Sequence, residues 1–219
     1  MVVNNLAENN SILNQFMAEL RDIHIHGDKF RFRKNIERIG EIMSYEISKT
    51  LKYKPINVQT PLGIKSIAVP DEPIVLATIL RAGLPFHQGF LSYFDNAENA
   101  FISASRKYNN EDHSAFEIEL GYLSSPSIEG KTLILIDPML ATGSSLDSGY
   151  QTLLYRGNPA KIHVACVIAS QQGIETACKI FPEDKTTIWA ADIDPYLNDK
   201  AYIVPGLGDA GDLAYGEKI

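Results

Sequence analysis

The stretch Leu133-Ile-Leu-Ile-Asp-Pro-Met-Leu-Ala-Thr-Gly-Ser-Ser145 decides how this chain folds. Leu133 to Ile136 is an unbroken apolar run, the pattern of a strand covered on both faces. Residues 144–156 carry amphipathic helical spacing, so strand, sharp loop and helix follow one another directly. Thr142, Gly143, Ser144 and Ser145 fall at the helix start. There, unpaired N–H groups and the positive end of the helix dipole favour an anion, above all a phosphate. Asp137 stands at the strand end. A carboxylate cannot usefully bind phosphate, but it accepts hydrogen bonds from sugar hydroxyls or helps hold a hydrated cation, which points to a phosphorylated sugar. The plain alternative is an ordinary strand-to-helix turn.

Working outward, strand and helix alternate. Strands are predicted over 73–80, 100–105, 162–169 and 186–191, with helices over 84–94 and 171–181. That rhythm is the signature of an α/β fold with a parallel sheet, whose ligands bind beyond the carboxyl ends of the strands. Upstream, Ile12, Leu13, Phe16, Met17, Leu20 and Ile23 define an amphipathic helical arm over 11–23. Asp28 can cap a second helix reaching about Leu51, with Ile36, Ile39, Ile42, Met43 and Ile47 along one side. Residues 56–69 read as a hairpin outside the main sheet, turning at Pro61-Leu-Gly63. The polar run Lys107-Tyr-Asn-Asn-Glu-Asp-His113, followed by alternating Phe116, Ile118, Leu120 and Tyr122, reads as a flexible flap over about 107–123. A surface hairpin without catalytic role fits that composition nearly as well. One domain spanning 1–219 is expected.

The chain has 219 residues, 45% hydrophobic and 21% charged, with a net charge of −7. No block of Lys or Arg is long enough to track a phosphate backbone, which argues against nucleic-acid binding. The same charge repels an anionic substrate, so binding one needs local positive potential from the helix start, Arg81, Arg106 and a divalent ion. Cys166 and Cys178 form no CxxC pair and read as inert core thiols in a reducing cytoplasm. His87 is expected on a helix surface, and His24 and His26 in loops, none with a partner for acid–base work. The first residues lack a basic region and an apolar core, and about eighteen apolar residues nowhere run together, so neither export nor a membrane span is expected.

These motifs resemble a known family. The 133–145 run is similar to the phosphoribosyl pyrophosphate (PRPP) motif of type I phosphoribosyltransferases. Its form, with Pro138 rather than a second acid after Asp137, resembles uracil phosphoribosyltransferases. Ile79-Leu-Arg-Ala-Gly-Leu84 is similar to that family's pyrophosphate-side loop, and Tyr202-Ile-Val-Pro-Gly-Leu-Gly-Asp-Ala-Gly-Asp212 to its C-terminal uracil-recognition segment.

The resemblance implies a parallel sheet flanked by helices, with an N-terminal helical arm and an off-sheet hairpin hood. It implies transfer of a 5-phosphoribosyl group from PRPP to N1 of uracil, giving uridine monophosphate (UMP) and pyrophosphate. PRPP would be held by Arg81, Arg106, Asp137, Pro138, Met139, Leu140, Ala141, Thr142, Gly143, Ser144, Ser145 and Asp209. Uracil would meet Ile203, Gly208, Asp209 and Ala210, with Arg81, Asp137 and Asp209 in the catalytic roles. Mg²⁺ is implied as cofactor, held through PRPP and water rather than by direct protein ligands. GTP as a candidate effector follows from the same likeness, while the apolar N-terminal helix and the off-sheet hairpin point to a homodimer or larger assembly. Two positions depart from the pattern: Ser105 stands where Tyr is usual, and Ser144 where Gly is common. The competing reading is a catalytically weak homologue that senses PRPP or a pyrimidine nucleotide, or regulates RNA; the acidic balance disfavours RNA.

Overall fold

The computed structural model of the chain describes residues 1–108 and 116–217, with the backbone alone at 104–108 and 116–120. In chain order the elements begin with β1 (Val2–Asn5), α1 (Leu13–Arg21), α2 (Lys29–Ser48), β2 (Tyr53–Thr60), β3 (Gly63–Pro70), β4 (Ile74–Leu80) and α3 (Gly83–Leu91). Next come β5 (Glu98–Tyr108), β6 (Phe116–Ser124), β7 (Thr132–Ile136), β8 (Met139–Leu140), α4 (Ser144–Leu154), β9 (Lys161–Ser170) and α5 (Gln171–Ile180). Then follow β10 (Thr186–Asp194), β11 (Tyr196–Leu197), β12 (Ile203–Val204) and α6 (Ala210–Tyr215). The main sheet runs β1-β10-β9-β7-β4-β5-β6, with β8 added alongside β9. Its ladders are parallel except β5 with β6. The pairs β2–β3 and β11–β12 form separate antiparallel hairpins.

The central strand shows why the sequence folds this way. Leu133 and Leu135 join a core with Val75, Val164, Leu146 and Ile174 beneath α4 and α5. Ile134 and Ile136 point the other way, into a core with Ile36, Met43, Phe86 and Val167 beneath α2 and α3. Strands buried on both faces have no polar alternation to show, and each such Leu or Ile contributes about 1.5–3 kcal/mol relative to exposure. Asp28 caps α2 as expected, accepting from the N–H groups of Phe30 and Arg31 at 3.0 and 3.1 Å. A Cβ on Gly40 would lie 2.6 Å from the Phe86 carbonyl oxygen, so the close crossing of α2 over α3 requires glycine there.

Two expectations change, and two elements appear that the sequence did not announce. His87 is 4% exposed rather than on a surface, because α3 is wedged between α2 and the sheet; its Nε2 lies 2.8 Å from Asn99 Oδ1. Burial lowers its pKa, against the Asn99 hydrogen bond. Cys166 is fully buried and burial pushes its thiol up, but Cys178 is exposed on the outer side of α5 and is no core thiol. Residues 2–5 form an edge strand beside β10, which so short an apolar stretch did not announce. The glycine-rich tail ends in α6. The tip of the proposed flap, 109–115, and the Arg106 and Ser105 side chains lie outside the described residues; the arms on either side pair as β5 and β6. No helix among the described residues is long and apolar enough to cross a membrane.

His163, on β9, carries a pH prediction. It is 1% exposed, and its Nδ1 accepts from Trp189 Nε1 at 3.1 Å. Burial chiefly, then Lys161, lowers its pKa from 6.5 to about 4, with Glu72 opposing. A base with a depressed folded-state pKa binds fewer protons folded than unfolded, so its stabilising effect is complete above pH 6.5 and is lost as pH falls towards 4. Wild type is therefore expected to lose up to about 3 kcal/mol relative to His163→Gln across that window. Parallel denaturant titrations at stepped pH would measure it; identical pH slopes for the two proteins would contradict it.

Candidate active site

The carboxyl ends of the central strands open into a cavity of about 610 Å³. Arg81, Asp137, Thr142, Gly143, Ser144 and Ser145 line it from the sheet side. Ile203, Gly208, Asp209, Ala210 and Asp212 line it from the C-terminal segment. Three motifs separated in sequence thus share one cleft, where open α/β sheets bind ligands.

The loop from Asp137 to Ser145 is built by main-chain pinning. Asp137 N–H donates to the Ala165 carbonyl at 3.1 Å, and its Oδ1 accepts from Met139 N–H at 3.2 Å. The Pro138 carbonyl accepts from both Val167 and Ile168 at 3.0 Å, and Leu140 is fully buried. Pro138 and Leu140 therefore do not line the cavity; they fasten the loop to β9, whereas Met139 and Ala141 do line it. Gly143, at φ +84°, turns the chain into α4 as its N-cap and brings no side chain to cap it, while the Ser144 N–H donates to Thr142 Oγ1 at 3.3 Å. The next amides, of Ser145 and Leu146, lie in the first turn of the helix, where N–H groups have no intrahelical acceptor. Thr142 Oγ1 and Ser144 Oγ lie 2.9 Å apart, placing two hydroxyls at the same opening. Among the described non-glycine residues only Ala201 has a positive φ, so serine at 144 brings no backbone strain.

Two supporting residues escaped the sequence reading. Ser170 Oγ donates to the Ala141 carbonyl at 2.7 Å and accepts from Gly173 N–H at 2.8 Å. A Cβ on Gly173 would overlap the carbonyl oxygens of Leu140 and Ala141, so α5 starts hard against the cradle from below. A serine three residues before a glycine at a helix start signals an N-cap, but not what else that serine holds.

Arg81 departs from a side chain aimed simply at ligand. Its Nη2 pairs with Asp212 Oδ1 at 2.9 Å and its Nη1 donates to the Gly216 carbonyl at 3.2 Å. It bridges the loop after β4 to α6, with about a third of the side chain exposed. Asp209 caps α6 by accepting from Asp212 N–H at 3.0 Å. Ile203 and Ala210 are buried, and Gly208 at φ +94° turns the chain between them. Among the described residues no cluster of three metal-ligating side chains occurs. Two carboxylates on the cavity wall, Asp137 and Asp209, fit a hydrated magnesium ion that brings most of its oxygen ligands with it.

A mostly parallel sheet with this cleft is the phosphoribosyltransferase type of fold. A solved hypoxanthine phosphoribosyltransferase from Staphylococcus aureus shares it, with a TM-score of 0.51 at 16% identity over 86% of this chain and 83% of that one. A solved protein from Aquifex aeolicus matches along the whole of both chains, with a TM-score of 0.86 and 29% identity. The model of the uracil phosphoribosyltransferase family matches residues 7–217. Uracil phosphoribosyltransferase from Porphyromonas gingivalis is 56% identical over 219 residues, the full length of both chains. That from Pyrococcus furiosus is 39% identical over 215 residues, covering 97% of this chain and 89% of its own. The chain belongs to the uracil phosphoribosyltransferase family.

Proposed function

We infer that the protein transfers the 5-phosphoribosyl group of PRPP to N1 of uracil, yielding UMP and pyrophosphate. The observation that carries this is the meeting of the α4 start, Arg81 and the 203–210 segment in one cavity of a chain from this family. Thr142 to Ser145 hold the 5-phosphate, with amides and hydroxyls opposite its charge. Asp137 accepts from the ribose hydroxyls. As the C1–oxygen bond breaks, negative charge gathers on pyrophosphate, and the Arg81 guanidinium, released from Asp212, stabilises it in bidentate fashion. Main-chain groups of Ile203, Gly208 and Ala210 match uracil's carbonyls and N3–H, while cytosine would leave buried donors unpaired, at about 1–3 kcal/mol each. Asp209 faces the PRPP side. Asp137 and Asp209 would hold Mg²⁺ through water, and the ion, when bound, supplies charge neutralisation on pyrophosphate.

The test is incubation with PRPP and Mg²⁺ beside uracil, cytosine or hypoxanthine in turn. UMP from uracil alone is expected; no nucleotide from any base would overturn the reading. The same proposal takes the protein as a homo-oligomer working in the cytoplasm as one domain. Ile23, Phe30, Leu62 and Ile64 are exposed and need cover. GTP as effector is checked by adding it to that assay, where an unchanged rate removes it.

A further inference from the structure

α1, which does not line the cavity, ends in a side chain that reaches the 203–210 segment. Arg21 Nη1 donates to Asp194 Oδ2 at 2.9 Å and to the Gly206 carbonyl at 2.9 Å. Its Nη2 donates to Asp194 Oδ1 at 2.9 Å and to Asp192 Oδ2 at 2.7 Å. Asp194 Oδ2 in turn accepts from Gly206 N–H at 2.7 Å. Both main-chain polar groups of Gly206 are thus committed to one ionic cluster, and Asp194, at the end of β10, is 5% exposed.

Gly206 stands between Ile203 and Gly208, which both line the cavity. It makes the tight return of that segment, at φ +64°, packed directly on the Ile203 carbonyl. A bidentate Arg–carboxylate pair is planar and geometrically selective, so it fixes orientation as well as position. Held at both its N–H and its carbonyl, Gly206 cannot rotate about its own backbone without breaking charge-assisted bonds. Main-chain recognition of a flat base depends on such fixity, because a peptide group turned away presents the wrong partner to every edge of the ring.

Resting on the reading of the 203–210 segment as the base slot, we propose that Arg21, with Asp194 and Asp192, is a positioning residue for base recognition. Through Gly206 it holds the segment in the conformation that admits uracil and refuses cytosine. The N-terminal helix thereby serves substrate selection at a site it does not line.

The experiment compares wild type with Asp194→Asn, Arg21→Met, Arg21→Lys and Asp192→Asn. Steady-state kinetics are run against each substrate, with thermal melting and titration with UMP and ribose 5-phosphate. Asp194→Asn and Arg21→Met should raise KM for uracil and weaken UMP binding by about tenfold or more, the factor expected when a charge-assisted hydrogen bond is lost. KM for PRPP and the affinity for ribose 5-phosphate, which uses the cradle alone, should stay within about twofold. Uracil-over-cytosine preference should fall. Arg21→Lys keeps the charge without the fork and should fall between wild type and Arg21→Met. Equal weakening of UMP and ribose 5-phosphate, or an unchanged KM for uracil in folded variants, would overturn the proposal. If Asp194→Asn and Arg21→Met fail to fold, the same split is read from Asp192→Asn, which loses only the outer carboxylate contact. Wild type that makes no UMP would instead sink the functional reading beneath it.

Discussion

Arg81→Ala should lower kcat/KM for PRPP by about 10²–10³, the usual cost of removing one donor aimed at charge that develops in the transition state. Folding stability should change far less. The Arg81–Asp212 pair is about a third exposed on each side, and pairs of that kind contribute about 0–1 kcal/mol. The structure adds a reason for the first expectation and a condition on the second. Arg81 is already held at the cavity wall by Asp212 and Gly216, on the side where the proposed function puts pyrophosphate. The anion has only to displace a weak, solvent-screened partner. Arg81→Lys, which keeps a point charge but loses the planar fork, should recover part of the lost rate. Steady-state kinetics beside urea melts would decide; a fully active Arg81→Ala protein, or one that unfolds, would show that the side chain serves the fold instead.

Gly206→Ala should cost about 10² in kcat/KM for uracil, the scale of a displacement near 1 Å in a positioned group. The cause is local. Gly206 sits at φ +64°, and a Cβ there would overlap the Ile203 carbonyl oxygen, which belongs to rigid backbone. The left-handed conformation alone costs a side chain about 1–2 kcal/mol. Relief must come from moving the 203–208 return, and with it Ile203 and Gly208, which line the cavity. KM for PRPP should change little, since the cradle is pinned separately by β9 and Ser170. Equal rises in both KM values would mean that the two halves of the cleft are not held independently.

Much of the main sheet was legible because its signals are local. Leu133 to Ile136 is apolar throughout, since both its faces are covered, and Asp28 announces the start of α2 by a cap that needs only its own neighbours. The edge strand at Val2–Asn5 carries too few apolar residues to stand out, and Val2 itself stays mostly exposed. His87 misled because helical spacing says which residues share a face but not how many faces the fold covers. The second cover on α3 comes from α2, which crosses it where Gly40 allows close approach. Cys178 erred the other way, as an apolar-looking residue on an outward turn of α5.

By itself the sequence determined that strand and helix alternate and that a helix starts at Ser144, because the apolar strand, the small residues and the helical spacing all lie within one short stretch. Only the tertiary structure decided that Arg81 is held by Asp212, that Ser170 braces Ala141, and that Arg21 grips Gly206. Arg21 and Asp194 are 173 residues apart, and Arg81 and Asp212 131 apart. No period or spacing links positions that far along a chain. They meet because parallel strands deliver distant segments to the same edge of the sheet.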